Sequence, residues 1–148
     1  GFFFKLKYMD SYWEDKYKKL TEERDQIMKK LSNPLIVKNR EEYASVTQRL
    51  KEIDKYYPLL TEWEKIEKHI EEDHYIIETE IEEELINEAQ IDLDKYQSRV
   101  NEIKRTLSDM ENEKFKLQAE IKNINSGYFS THSIWTDFVG LLIYDILE

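Results

Sequence analysis

The 148-residue sequence has no cysteine, two prolines and three glycines, and it has no long hydrophobic run. The absence of cysteine excludes disulfide bonds, thiolate zinc ligands and a cysteine nucleophile. So few turn-forming residues argue against a sandwich or barrel of many short strands. An uninterrupted run of about 18 apolar residues does not occur, so the sequence predicts no transmembrane segment.

The charge is predominantly negative. The chain carries 32 acidic and 22 basic residues, a net charge of -10, and 36% of its residues are charged. Nucleic-acid-binding proteins gain much of their affinity by neutralising phosphates, so this sign argues against a dedicated nucleic-acid binder. Binding to a nucleoprotein particle through its proteins stays open.

A first helix is predicted over residues 10–31, where apolar residues recur at helical spacing. Asp10 or Ser11 can serve as its N-cap, and Glu14 lies where a reciprocal cap would be. Pro34 lacks an N–H group and disfavours helical geometry at Asn33, so we expect the helix to end there.

A second helix is predicted to begin at Asn39, which precedes Glu42 by three residues as in a capping box. Its apolar residues recur at the three- and four-residue steps of a heptad seam. They are Tyr43, Val46, Leu50, Ile53, Tyr57, Leu60, Trp63, Ile66, Ile70 and Ile77. Because Pro58 lies inside this pattern, we expect either one kinked helix or two helices meeting at Tyr57 and Pro58.

A third helix follows a strongly acidic stretch, residues 71–84, in which we place a turn. Its seam consists of Ile86, Ala89, Leu93, Tyr96, Val100, Ile103, Leu107 and Met110. Two seams of similar length that are separated by a polar joint predict an antiparallel helical hairpin. The fold class is therefore mainly α: a long antiparallel helical hairpin with an added N-terminal helix.

The pattern changes near the C-terminus. Residues 114–122 alternate between apolar and polar side chains, which is typical of a half-buried strand. Residues 123–127 are predicted to form a turn, and residues 134–148, which are apolar on nearly every face, a C-terminal helix. A lone strand and such a helix both need neighbours, so we infer an incomplete sheet domain that another chain completes.

Several groups of residues have the side chains of a metal, catalytic or phosphate-binding site, but each is more simply interpreted as structural. The two histidines nearest the acidic stretch, His69 and His74, are five residues apart and do not share a helical face, so a solvated acidic surface is preferred to a metal site with Glu71, Glu72 and Asp73. The residue types of a hydrolase triad also cluster, without a nucleophile elbow, at Ser130, His132, Ser133 and Asp137. Gly127 lacks the Lys-Ser/Thr of a phosphate-binding loop. For Phe2-Phe3-Phe4 we expect docking on a partner protein.

Seven short motifs, spread over roughly 90 residues, occur in the same order as in a known protein family. They are Leu20 with Glu22-Glu23-Arg24, Leu31-Ser32-Asn33-Pro34, Arg40-Glu41-Glu42-Tyr43 with Leu50, Tyr57-Pro58-Leu59-Leu60, Trp63-Glu64-Lys65-Ile66, Ala89-Gln90-Ile91-Asp92-Leu93, and Ile103 with Leu107. In these motifs, residues 16–107 resemble the N-terminal helical domain of class I peptide chain release factors of the bacterial and organellar type.

The resemblance continues in altered form beyond the hairpin. In that family a strand with a glycine-rich run opens the central domain, and a helix ending in an aromatic residue follows. Residues 119–122 are similar to the strand, residues 123–127 stand where the glycine-rich run would be, and residues 135–144 match the helix. Of the glycines in that run only Gly127 remains. The resemblance thus implies a remnant of the central domain.

The motifs by which the family works are missing from the sequence. Class I factors hydrolyse peptidyl-tRNA through a Gly-Gly-Gln loop and read stop codons with a Pro-x-Thr or Ser-Pro-Phe element. None of these triplets occurs in the chain. We therefore predict no enzymatic activity, no catalytic, cofactor-binding or metal-binding residue, no cofactor and no small-molecule substrate.

Together these features predict three regions: an N-terminal extension, residues 1–9; a release-factor-like helical domain, residues 10–112; and the central-domain remnant, residues 113–148. We predict a non-catalytic scaffold bound to a ribosome, with ribosomal proteins or other subunits of a large assembly as partners and peripheral rRNA contact possible. The Lys/Asn/Ile/Glu/Tyr-rich composition, the start at Gly1 rather than Met and the loss of the family's working motifs together favour a mitochondrial ribosome, with the cytoplasm as the alternative.

Two other functions fit the same sequence. The chain can be a fragment or regulator derived from a genuine release factor whose catalytic domains lie elsewhere. It can also be a helical accessory subunit of an unrelated assembly, such as a respiratory membrane complex, in which Phe2-Phe3-Phe4 and the apolar C-terminal segment would contact lipid or membrane subunits.

Overall fold

A computed structural model of the chain describes residues 9–130, and their side chains as far as residue 125. This part of the chain contains three α-helices and no strand: α1, Ser11–Ser32; α2, Arg40–Thr79; and α3, Glu83–Ser130. A short 3₁₀ helix, Pro34–Lys38, connects α1 to α2. The chain divides into two compact units, Gly1–Leu107 and Ser108–Glu148, and α3 contributes residues to both.

The ends of α1 lie where the sequence predicts them. Asp10 is the N-cap residue, but its carbonyl rather than its side chain accepts the first helical hydrogen bond, from the N–H of Glu14 at 2.9 Å. At the other end Asn33 is extended, with φ -83° and ψ 117°, as expected before Pro34. The Asn33 side chain accepts a hydrogen bond from the N–H of Leu35 and so begins the 3₁₀ helix.

The predicted capping box opens α2. Asn39 Oδ1 accepts from the N–H of Glu42 at 3.2 Å, and Glu42 Oε2 accepts in return from the side-chain amide of Asn39 at 3.3 Å. Such a cap stabilises a helix by about 1 kcal/mol. The second bond differs from a standard box because its donor is the Asn39 amide and not the backbone.

Helix α2 continues through Pro58, which selects the single-helix alternative. Its 40 residues span about 60 Å. Proline in a helix interior costs about 3 kcal/mol. The packing of the apolar seam on both sides of Pro58, at Ile53 and Leu60, offsets that cost.

The core of the first unit is the seam between the three helices, which confirms most of the predicted stripes; Tyr43, at the start of the predicted α2 seam, is 42% exposed. Leu60, Trp63, Ile70, Ile103 and Leu107 have no exposed surface. Each such side chain contributes roughly 2 kcal/mol through burial. The other buried members are Met9, Trp13, Leu20, Ile27, Val46, Ile53, Ile66 and Val100.

The strand predicted for residues 114–122 is wrong, and so is the turn at residues 123–127, because α3 runs through both. Residues 114–122 are mostly Lys, Leu, Gln, Ala and Glu, which are strong helix formers. The described residues provide no neighbouring strand, so a two-residue alternation over nine positions does not outweigh that preference. The predicted mainly α class, the helical hairpin and the added N-terminal helix are confirmed.

Other predictions concern residues that the structure does not describe. The apolar helix at residues 134–148, the partner docking of Phe2-Phe3-Phe4 and all of the N-terminal extension but Met9 lie outside residues 9–130. The division into regions 1–9, 10–112 and 113–148 stays a prediction.

Candidate interaction surface

The pairing of α2 with α3 is fixed by contacts between their side chains. Arg99 on α3 donates two hydrogen bonds to the carboxylate of Glu62 on α2, each of 2.7 Å. Further along, the rings of His69 and Tyr96 stack with centroids 5.2 Å apart. Residue numbers rise along α2 as they fall along α3, so the two helices are antiparallel, as predicted.

A second arginine fork joins α1 to α2. Arg49 donates to the carboxylate of Glu23 through Nε at 2.6 Å and Nη2 at 2.9 Å. The hydrogen bonds from Arg49 and Arg99 lower the pKa values of Glu23 and Glu62. Because these side chains remain about 40% exposed, each pair stabilises the unit by no more than about 1 kcal/mol.

The connection between α2 and α3, together with the helix ends beside it, is rich in acidic residues and contains no basic one. We call residues 71–94 the acidic tip, because they include eleven Asp or Glu residues and no Lys or Arg. The eleven are Glu71, Glu72, Asp73, Glu78, Glu80, Glu82, Glu83, Glu84, Glu88, Asp92 and Asp94. Since the whole chain carries -10, the residues outside the tip are close to neutral in sum.

The acidic tip also exposes apolar side chains. Ile81, in the connection itself, is 93% exposed, and Tyr75 and Ile91 are 60% and 55% exposed. The turn between the helices spans residues 80–82, within the predicted window. The tip therefore presents carboxylates and apolar groups together, a surface that suits protein and repels phosphate.

The five residues considered as metal ligands, His69, Glu71, Glu72, Asp73 and His74, lie in different surroundings. His69 stacks on Tyr96, and its Nδ1 lies 3.6 Å from Glu72 Oε2, while Asp73 is buried. Across residues 9–130, no three His, Cys, Asp or Glu side chains gather closely enough to hold a metal ion. His74 and Glu71 are half-buried at the sides of α2.

Asp73 is buried, whereas the sequence interpretation placed it on a solvated acidic surface. It is 7% exposed, and its Oδ2 atom is buried without a hydrogen-bond partner. Burial raises the pKa of Asp73, and the Asp92 carboxylate raises it further. Asp73 follows Ile70 by three residues and precedes Ile77 by four, so the seam spacing itself could have located it.

An unpaired apolar stripe lies on α3 in the second unit. We define the apolar stripe as Leu117, Ile121 and Ile124, which are 51%, 58% and 55% exposed. These residues continue the heptad steps of the α3 seam beyond Met110, with Lys114 interrupting them. Each of the three side chains therefore keeps more than half of its surface exposed.

The remaining candidate residues fall at or beyond the edge of the described region. The side chain of Ser130, together with His132, Ser133 and Asp137, lies outside it, so their proximity stays untested. The backbone of Gly127 belongs to α3. Within residues 9–130, none of the helices combines the length and the apolar character that a membrane crossing needs.

Comparison with known proteins gives one match. The family model of the PCRF domain matches residues 20–127, which cover most of α1, all of α2 and most of α3. No curated protein and no solved structure matches the chain.

Proposed function

The chain belongs to the PCRF domain family and carries the N-terminal helical domain of class I release factors, and from this premise we propose that it binds a ribosome as a non-catalytic scaffold. The family match over residues 20–127 is the observation that carries the proposal. It spans the helical hairpin on which the sequence resemblance rests.

The printed sequence supports the non-catalytic part. It contains neither a Gly-Gly-Gln triplet nor a codon-reading Pro-x-Thr or Ser-Pro-Phe element. The described carboxylates are mostly exposed on helix faces, where ordinary solvation gives them no catalytic role. A peptidyl-tRNA hydrolysis assay with purified ribosomes tests this part: we expect no release of peptide, and release at the rate of an active factor would contradict it.

The charge distribution supports contact with a protein rather than with RNA. The acidic tip repels phosphate, whereas the apolar stripe can be buried against an apolar protein surface. We therefore assign the principal contact to a ribosomal protein, through Leu117, Ile121 and Ile124. Peripheral contact with rRNA is then confined to surfaces away from the tip.

Co-sedimentation with ribosomes through sucrose gradients tests the binding. We expect the wild-type chain to migrate with the particle and a Leu117→Ser, Ile121→Ser double variant to lose about tenfold or more of the bound fraction, because the exposed apolar anchors are removed. The matched control is Ala119→Ser with Asn123→Ser, which changes exposed residues beside the stripe.

Two results would contradict the proposal. A wild-type chain that stays at the top of the gradient would exclude ribosome binding. Equal binding of the double variant and its control would move the contact away from the apolar stripe.

We also propose a mitochondrial location, because the family resemblance is to factors of the bacterial and organellar type. Organelle fractionation of cells that express the natural gene with a C-terminal tag tests it. Recovery of the product in the mitochondrial matrix is expected, and recovery in the cytosol alone would contradict the location while leaving ribosome binding intact.

The same family match favours a second function, participation in an active release factor of which this chain is one part. The two functions differ in what the natural gene encodes. A Gly-Gly-Gln segment in the same product would establish the active factor and overturn the scaffold proposal.

A further inference from the structure

Asp73 occupies a core position of the helical hairpin. It lies between Ile70 and Ile77 in the α2 seam, where apolar side chains otherwise pack against α3. His69 stacks on Tyr96, and one helical turn further along each antiparallel helix brings Asp73 opposite Asp92. The buried carboxyl group of Asp73 therefore lies within electrostatic reach of the exposed carboxylate of Asp92 across the interface.

No permanent cation is available within the tip to neutralise this pair. Of the charged and titratable groups that act on Asp73, Asp92 on α3 and Glu72 on α2 raise its pKa, and His69 and His74 on α2 lower it. Residues 71–94 contain no Lys or Arg. An ionised Asp73 thus keeps a buried oxygen without a partner and faces a second negative charge, a costly arrangement.

The same part of the hairpin is thinly packed. Between Ile70 on α2 and Val100 on α3, Ala89 is the one buried apolar residue, and it is 4% exposed. Regions with few buried apolar contacts open locally at low free energy, without unfolding of the remaining structure. The apolar side chains with no exposed surface lie elsewhere in the first unit, among them Leu60, Trp63 and Ile103.

We propose that Asp73 makes the acidic tip a separately opening part of the hairpin, which closes when Asp73 is protonated and opens more readily when Asp73 is ionised. Protonation removes the repulsion from Asp92 and lets the buried group exist uncharged among apolar neighbours. This inference concerns the hairpin alone, and it holds whether or not the chain binds a ribosome.

The direction of the pH dependence follows from the linkage between proton binding and stability. The folded-state pKa of Asp73 is raised above its unfolded value, so the closed tip binds the proton more tightly than the open one. Tip stability is therefore fully present below the unfolded pKa of about 4 and is lost as the pH rises through the raised folded pKa.

Amide hydrogen exchange of the full chain, corrected for intrinsic rates, tests the proposal. Between pH 4 and 7.5 we expect protection of residues 71–94 to fall about tenfold for each unit by which the pKa of Asp73 is raised, while protection of α1 stays more nearly constant. The Asp73→Asn variant mimics the protonated group, so its tip should remain protected throughout this pH range.

Asp94→Asn is the matched control, because it removes an exposed carboxylate from the same tip and should retain the pH dependence of the wild type. Asp92→Asn should reduce that dependence by removing the facing charge. A carboxyl-carbon NMR titration of wild-type Asp73 gives a readout that requires no substitution.

Three outcomes would overturn the proposal: wild-type tip protection that does not change with pH, an Asp94→Asn effect as large as that of Asp73→Asn, or titration of Asp73 at an ordinary pKa. Should Asp73→Asn fail to fold, the wild-type exchange and titration measurements decide the question alone.

Discussion

Val100 shows how much a single seam residue contributes to the hairpin. It is 5% exposed and packs within the core of the first unit. A Val100→Asp substitution would bury an unpaired charge, and we expect it to destabilise the unit by about 3 kcal/mol or more. Chemical denaturation followed by circular dichroism measures the change.

Ser98→Asp is the control for this prediction, because Ser98 lies two residues away on the exposed side of α3. Its effect should stay within about 0.5 kcal/mol. Equal unfolding midpoints for the two variants would mean that Val100 does not lie in the seam.

At the residue scale, spacing predicts apolar partners well and polar ones poorly. The steps of three and four identify Val46, Ile53 and Ile103 correctly as core residues. They pass over Asp73, because a search for apolar residues skips a carboxylate that occupies a seam position. The Arg99–Glu62 fork was also not predicted, since pairing across 37 residues depends on a register that no single helix encodes.

Removing a negative charge should have opposite effects on stability at the two helix ends that flank the α2–α3 connection. Glu78 lies in the last turn of α2, where the helix dipole is negative and no basic residue compensates it. Glu83 lies in the first turn of α3, where the dipole favours a carboxylate. Glu78→Gln should therefore raise the stability of the first unit by about 0.3–1 kcal/mol, and Glu83→Gln should lower it by a similar amount.

Thermal melting at low ionic strength compares these two variants, each of which removes one exposed charge. If both variants shifted the melting temperature in the same direction, general charge repulsion in the tip would outweigh the dipole effect and the prediction would be wrong.

The C-terminal half of α3 provides a second prediction at the element scale. Ala119 is exposed and lies in the region where alternation had indicated a strand. Ala119→Pro should cost the helix about 3 kcal/mol and reduce the helical circular dichroism signal, because proline removes a hydrogen bond and clashes with the preceding turn.

Ala119→Ser controls for the loss of the methyl side chain and should leave the helical signal nearly unchanged. An Ala119→Pro variant with the full wild-type signal would contradict a helix at this position.

At the element scale, the periodicity of apolar residues predicts where helices form, and capping residues and prolines predict where they end. The Asn39–Glu42 cap and the stop at Pro34 are correct because each depends on residues a few positions apart. Residues 114–122 are predicted wrongly because their two-residue alternation favours a strand whereas their residue types favour a helix, and the helix preference prevails. Pro58 was ambiguous because its tolerance depends on packing with distant residues.

At the scale of the whole molecule, the uneven charge predicts a response to salt. The acidic tip holds eleven carboxylates without a Lys or Arg among them, so its charges repel each other across short distances. Raising NaCl from about 20 mM to 500 mM screens this repulsion, and we expect the melting temperature to rise by a few degrees. The screening of exposed ion pairs opposes the rise only weakly.

Two double variants with the same change in net charge locate the effect. Glu82→Gln with Glu88→Gln, within the tip, should reduce the salt dependence, whereas Glu22→Gln with Asp25→Asn, on α1, should leave most of it. A melting temperature that falls with salt, or equal slopes for the two variants, would contradict the prediction.

The absence of lysine and arginine from the acidic tip also determines how trypsin cuts the protein. Trypsin cleaves after lysine and arginine, and the nearest such residues on either side of the connection are Lys68 and Lys95. Complete digestion therefore releases residues 69–95 as one intact 27-residue peptide that contains the end of α2, the connection and the beginning of α3. Its mass alone would reveal any chemical modification of that end of the protein, in a cell extract as readily as in a purified sample.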